Sequence, residues 1–120
     1  AILDLGIEQW VEVLVGDAAA IAHQREHRGA YDGVFSRSFG SPATTAECAV
    51  GLLRTGGKLV ASEPPNPSRD RWLQPILHSM GFGELVFVAG PPSFVAISLV
   101  RPSTDALPRN WNQLRKKPMF

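Results

Sequence analysis

The stretch Tyr31-Asp32-Gly33-Val34-Phe35-Ser36-Arg37-Ser38-Phe39-Gly40 carries a strand signal, a loop and the approach to a helix. Tyr31-Asp32 is a polar turn pair, and Val34-Phe35 is a short apolar strand signal. Small and polar residues follow from Ser36 to Ser41, with one charge, Arg37. Ser41-Pro42 then reads as a helix start, because serine caps free N–H groups and proline suits the first helical position. In open parallel α/β sheets, ligands sit outside the carboxyl ends of the strands. Ser36 to Gly40 stand at such an end, and an arginine there has no packing reason to be present. Arg37 is therefore the first candidate for a functional side chain, with Ser36 beside it. The alternative is a tight strand-to-helix connection that binds nothing.

Working outward, the chain alternates strands and helices. Val11 to Val15 is β-branched and reads as a strand that ends at Gly16-Asp17-Ala18. A helix follows, roughly Ala18 to Arg28, with Asp17 as its cap and Gly29 at its exit. After the strand Val34 to Ser36, the helix that starts at Ser41-Pro42 is expected to run to about Arg54. Ala46, Ala49, Val50 and Leu53 form its apolar stripe. Gly56-Gly57 reads as the stop, and Lys58 to Ser62 as a third strand that closes at Glu63-Pro64-Pro65. Asn66 to Asp70 is a polar loop. A helix over about 71–80 follows, its start displaced toward Leu73 by Pro75. Glu84 to Ala89 and Phe94 to Val100 form an antiparallel hairpin. This order predicts an α/β fold: a mostly parallel sheet with helices on its faces and one antiparallel strand from the C-terminal hairpin.

The 120 residues suit one domain, and 44% hydrophobic with 19% charged residues is ordinary for a globular chain. No apolar run reaches the roughly 18 residues that span a bilayer. Asp4 and Glu8 near the start do not make a basic leader, and the single Cys48 has no internal disulfide partner, so a cytoplasmic location is expected. The net charge of +1 is uneven. Arg109, Arg115, Lys116 and Lys117 lie near the end with no acid among them. Of the 12 basic residues, eight then remain against 11 acids in the body, a net of −3. The expected division is a domain over 1–108 and a basic C-terminal tail over 109–120, with an anionic partner at the tail. Trp111 among those cations suits RNA, whose bases stack on aromatics while cations meet phosphates. The competing reading is a tail folded back with Trp111 in a surface groove.

Other chemistry is weaker. His23 and His27 have metal-ligand spacing, but no third ligand suggests itself, so no metal is expected. Cys48 reads as a buried structural residue. No Gly-x-Ser-x-Gly elbow and no Gly-x-Gly-x-x-Gly loop is present, which disfavours a hydrolase and a nicotinamide-dependent enzyme. Gly16-Asp17-Ala18 follows a strand and opens a helix, where Asp17 reads on the residues alone as a helix cap.

The wording of Tyr31 to Ser41 resembles the fourth-strand motif of the small-subunit ribosomal RNA guanine-N7 methyltransferases, the glucose-inhibited-division-B family. The basic end, Leu107-Pro108-Arg109 through Arg115-Lys116-Lys117-Pro118-Met119-Phe120, is similar to the Pro-Arg…Lys-Pro terminus of that family. Gly16 and Ala18 match part of its Gly-Arg-Ala-Glu motif, and Gly56-Gly57-Lys58-Leu59-Val60 looks like the strand-five entry of many class I methyltransferases that use S-adenosyl-L-methionine. Asp17 and Ala19 depart from the Arg and Glu of that motif. Glu63-Pro64-Pro65 stands where Lys-Gly is usual.

The resemblance implies a Rossmann-like class I methyltransferase fold and the cofactor S-adenosyl-L-methionine (AdoMet). It implies methyl transfer to a ring nitrogen of a ribosomal RNA guanine. Gly16, Asp17, Ala18, Ser36 and Arg37 would face the cofactor, Arg37 would also serve catalysis, and Arg109, Trp111, Arg115, Lys116 and Lys117 would face RNA. A non-catalytic RNA-binding or assembly module that keeps half of the fold is the alternative. Ala1 to Gly6 looks like the end of a helix, and no Gly-rich loop precedes Val11, so strands one and two of that fold are expected to be missing. The gap would lie between Val11–Val15 and Val34–Ser36. Direct pairing of those two strands or a second chain, such as another copy in a homodimer, is expected to close it. AdoMet is expected to bind the 120 residues weakly or not at all.

Overall fold

The computed structural model describes residues 6–7, 9–65 and 67–120, leaving the Arg69 side chain aside. The expected helix end at Ala1 to Gly6 lies, apart from Gly6, outside the described residues. Helix α1 is Ala18–Ile21, β1 Tyr31–Ser36, α2 Pro42–Leu52 and β2 Leu53–Glu63. A 3₁₀ turn, Arg69–Arg71, leads to α3 (Gln74–Met80), and β3 (Phe82–Val88), β4 (Ser93–Leu99) and α4 (Trp111–Lys116) complete the chain. The four strands make one mixed sheet in the order β1-β2-β4-β3. β1 and β2 run parallel, and β4 lies antiparallel between β2 and β3.

The expected stripe on α2 faces this sheet. Ala46, Ala49, Val50 and Leu53 are buried with Leu59, Ala61, Leu77, Phe82, Val95 and Ile97 in the main core. The opposite side of α2 is covered too. Cys48 packs there against Ala19 of α1 and Leu114 of α4. A helix covered on both sides buries its polar residues as well, and Thr44, Thr45 and Glu47 are all inside. Ser41 caps α2 by accepting from the Thr44 N–H at 3.3 Å, with Pro42 in its first turn.

Five expectations need correction. The sheet is not mostly parallel: β1–β2 is the one parallel pairing among the described strands, because the C-terminal hairpin inserts β4 beside β2 and so makes the other two pairings antiparallel. Val11 to Val15 forms no strand, and Val13 and Val15 are 69% and 96% exposed. A β-branched run becomes a strand only where it has a ladder partner and a face to bury. No direct pairing closes β1, whose second edge has no partner strand among the described residues. The helix from Ala18 stops at Ile21. Beyond it, His23 bonds Ala20 O and Gln24 bonds Ile21 O, the tighter three-residue pattern. This segment has no apolar stripe, and its side chains turn to other parts of the fold: His23 Nε2 meets Pro108 O at 2.5 Å, and Arg28 donates to Leu107 O and Thr104 O. Finally, Gly56-Gly57 does not stop α2. The helix passes straight into β2 at Leu53, and the glycines form a bulge inside that strand. Tyr31 pairs with Leu53 but Gly33 with Lys58, so the bulge absorbs three extra residues. Gly56 has φ +91°, and a Cβ at Gly57 would lie 2.9 Å from Asp32 O, so both positions need glycine.

The C-terminal segment is not a loose tail. Asn110 caps α4 by accepting from the Gln113 N–H at 3.0 Å, and Leu114 is fully buried. Among the described residues, no helix is long and apolar enough to cross a membrane.

Candidate functional site

Two cavities meet at the carboxyl end of β1. The larger, about 510 Å³, is lined by Arg37 and Ser38 after β1, Ser62 and Glu63 at the end of β2, Arg71 of the 3₁₀ turn and Phe94 of β4. The sheet register brings these together. Ser62 pairs with Phe94 and Glu63 with Ser93, so antiparallel β4 begins where parallel β2 ends. The second cavity, about 270 Å³, lies on the β1–α2 side, with Ala18, Val34, Phe35, Ser36, Phe39 and Cys48 in its wall. Arg37 lines both. It is exposed and has no ion pair or hydrogen bond among the described residues. Ser38 beside it is held at φ +56°, uncommon for a residue other than glycine, so the turn after β1 aims its side chains at a backbone cost.

Glu63 is the least expected member of the larger cavity. Its side chain is 1% exposed. Oε1 accepts from Arg71 Nη1 at 2.5 Å and from Trp72 Nε1 at 2.9 Å. Oε2 is buried and has no hydrogen-bond partner among the described residues. Such an atom costs about 1–3 kcal/mol, more when charged. The sequence signal was available: an acid at the end of a central strand, followed by Pro64-Pro65, where ligands collect.

Of the residues expected at a cofactor, Ala18, Ser36 and Arg37 come together around the smaller cavity. Gly16 and Asp17 do not line either cavity. Asp17 is the cap of α1, with its Oδ1 accepting from the Ala20 N–H at 2.7 Å. Cys48 sits in the wall of the smaller cavity with its thiol pushed up to about 12, by burial first and then by Glu47 and Asp17. His23 and His27 face different partners. His27 stacks on Tyr31 and meets its hydroxyl at 2.6 Å.

The residues expected at RNA separate into two groups. Arg115, Lys116 and Lys117 are exposed along and just after α4. Lys116 and Lys117 line a groove of about 370 Å³ with Asn112 and Gln113. Arg109 also borders that groove, but its guanidinium grips Glu47. Its Nη2 reaches Oε1 at 2.8 Å, its Nε reaches Oε2 at 3.0 Å, and its backbone N–H reaches Oε2 at 2.6 Å. Glu47 is 1% exposed, and these hydrogen bonds raise the Arg109 pKa further. Arg109 is thus an anchor for the C-terminal segment rather than a free cation. Trp111 is half-buried, edge-on to Phe39 at 5.8 Å, so it joins α4 to the turn after β1.

No family model matches the chain. The chain is similar to ribosomal RNA small subunit methyltransferase G of Deinococcus radiodurans, at 40% identity over 62 residues. These are 52% of this chain and 24% of the relative. It is similar to the protein of the same name from Deinococcus deserti at 29% identity over 124 aligned residues, 97% of this chain and 50% of the relative. The chain thus spans half or less of the curated relatives it matches. A solved T. thermophilus 16S rRNA N2 G1207 methyltransferase (RsmC), in complex with AdoMet and guanosine, overlays 64% of this chain and 22% of its own. Its TM-score is 0.44 and its identity 24%.

Proposed function

We propose that this chain forms the acceptor side of an AdoMet-dependent methyltransferase with a Rossmann-like fold. In this reading it acts, as part of a longer enzyme, on a guanine of small-subunit ribosomal RNA. The observation that carries the proposal is the position of Arg37. It stands at the carboxyl end of β1, in the wall shared by two cavities, inside the stretch whose wording resembles such enzymes. The named relatives point the same way.

The smaller cavity fits a flat, partly apolar group such as an adenine ring, with Phe35 and Phe39 beside Ala18 and Ser36. At about 270 Å³ it is below the usual range for a whole ligand, about 300–1,000 Å³. The contacts to the methionine end of the cofactor then lie outside these 120 residues. AdoMet supplies a sulfonium methyl that a ring-nitrogen lone pair takes in line, the C–S electron pair leaving with sulfur, so no metal is needed. What the chain contributes is placement. Arg37, between the cavities, holds a phosphate or carboxylate at the junction, and the larger cavity holds the acceptor base. The exposed Arg115, Lys116 and Lys117, of which the two lysines line one groove, give the RNA backbone an electrostatic hold.

The test uses the product of the complete encoding reading frame, tritiated AdoMet and small-subunit ribosomal RNA. Label should enter RNA at a guanine, with mapping of the modified atom giving N7. RNA binding without label transfer would favour the non-catalytic module instead.

A further inference from the structure

We infer that Glu63 reads the acceptor base, with its unpartnered Oε2 accepting from the adjacent N1–H and 2-amino group of a guanine. The inference rests on the methyltransferase reading above but concerns binding rather than transfer. A carboxylate offers about four lone-pair sites. Oε1 already accepts from Arg71 and Trp72, and both sites on Oε2 remain. Oε2 is hidden from water, while Glu63 itself lines the large cavity. The last torsion of a glutamate side chain is broad rather than locked in staggered wells, so a small turn presents Oε2 to the cavity.

The free oxygen selects for adjacent donors. Guanine puts two N–H groups side by side on one edge. Adenine and cytosine each put a ring-nitrogen lone pair beside their amino group, and uracil flanks its single N–H with carbonyls. Those bases would set a lone pair against the Glu63 carboxylate. The rest of the cavity suits a nucleotide. Phe94 and Pro64 give apolar surface for a ring, and Arg37, which has no ionic partner among the described residues, can take the phosphate. Arg71 holds Oε1 at 2.5 Å, which keeps the carboxylate at the cavity wall within reach of that small turn.

Calorimetric titration of the 120-residue chain with guanosine 5′-monophosphate (GMP) and adenosine 5′-monophosphate tests this. GMP should bind at least tenfold more tightly, and Glu63→Gln, which replaces the free acceptor with a donor, should erase the preference. Because Glu63→Gln could disturb folding through Arg71 and Trp72, 1-methylguanosine 5′-monophosphate provides a second measurement on the wild-type chain. It lacks the N1 proton and should bind as weakly as the adenine nucleotide. Equal affinities, no GMP binding, or a preference that survives Glu63→Gln would overturn the inference. If the preference is absent while the complete product methylates a guanine, the base-reading role falls and the enzyme reading stands. If the preference is present without methyl transfer, the reverse holds.

Discussion

Replacing Arg109 with alanine removes the guanidinium from Glu47 and leaves the acid inside the fold. The wild-type carboxylate is 1% exposed and accepts from Nε, Nη2 and the backbone N–H of Arg109. Breaking a buried pair by removing one partner costs about 3–5 kcal/mol. Two features reduce that. The backbone N–H at 2.6 Å survives the substitution, and the Arg109 side chain is 29% exposed, so water can enter behind it. About 2–4 kcal/mol is the resulting expectation, with a fall in melting temperature of roughly 10 °C or more for a chain of this size. Urea unfolding followed by tryptophan fluorescence measures it, and Trp111 on α4 should report early loss of the C-terminal segment. The double variant Glu47→Leu with Arg109→Met removes both charges and should recover most of the loss, because a buried pair replaced by apolar residues of similar volume is often near neutral. A single Arg109→Ala variant within about 1 kcal/mol of wild type would show that the pair does not anchor the C-terminal segment.

Neutralising Lys116 and Lys117 should weaken binding to single-stranded RNA and flatten its salt dependence by roughly 0.7 per lost phosphate contact; an unchanged slope in a filter-binding titration would count against the groove as an RNA surface. Gly81→Ala should cost about 1–3 kcal/mol in urea unfolding, since its φ of +109° and an Arg101 O only 2.5 Å from the added Cβ leave no relaxed placement. The Cys48 thiol, raised from near 9 to about 12 in the fold, favours the folded state while it stays neutral, so stability should be intact below pH 9 and decline between about pH 9 and 12. Loss of that decline in Cys48→Ala would be confirming, and an identical pH profile in the variant would refute it.

The central pattern was legible because it is local. The alternation Val34-Phe35, Ser41-Pro42, then Ala46-Ala49-Val50-Leu53 fixes a strand, a cap and a buried face without knowledge of the rest. The position of Arg37, a charge at a strand end, was legible for the same reason. What could not be read depends on partners distant in sequence. Val11–Val15 has strand composition but no ladder to join. Gly56-Gly57 signals a turn, and only pairing to Tyr31 and Gly33 shows that the turn is a bulge inside β2. Glu47 was the missed clue for the C-terminal segment: an acid inside a helix of Ala, Cys and Val asks for a cation, and Arg109 supplies it from 62 residues away. Glu63 was visible as a departure from the family pattern, but its free oxygen emerges only once Arg71 and Trp72 are placed.

Arg37 in methyl transfer is the most direct test of the account. The product of the complete reading frame, wild type and Arg37→Ala, is assayed with tritiated AdoMet and small-subunit ribosomal RNA, and the melting temperatures of the two are compared. Because Arg37 is exposed and unpaired among the described residues, the substitution should change stability by no more than about 0.5 kcal/mol. If Arg37 positions an anion at the junction of the two cavities, turnover should fall at least tenfold, a loss of about 1.4 kcal/mol of transition-state stabilisation. Wild-type turnover in a folded Arg37→Ala protein would contradict the claim that this strand end is where the chemistry is held.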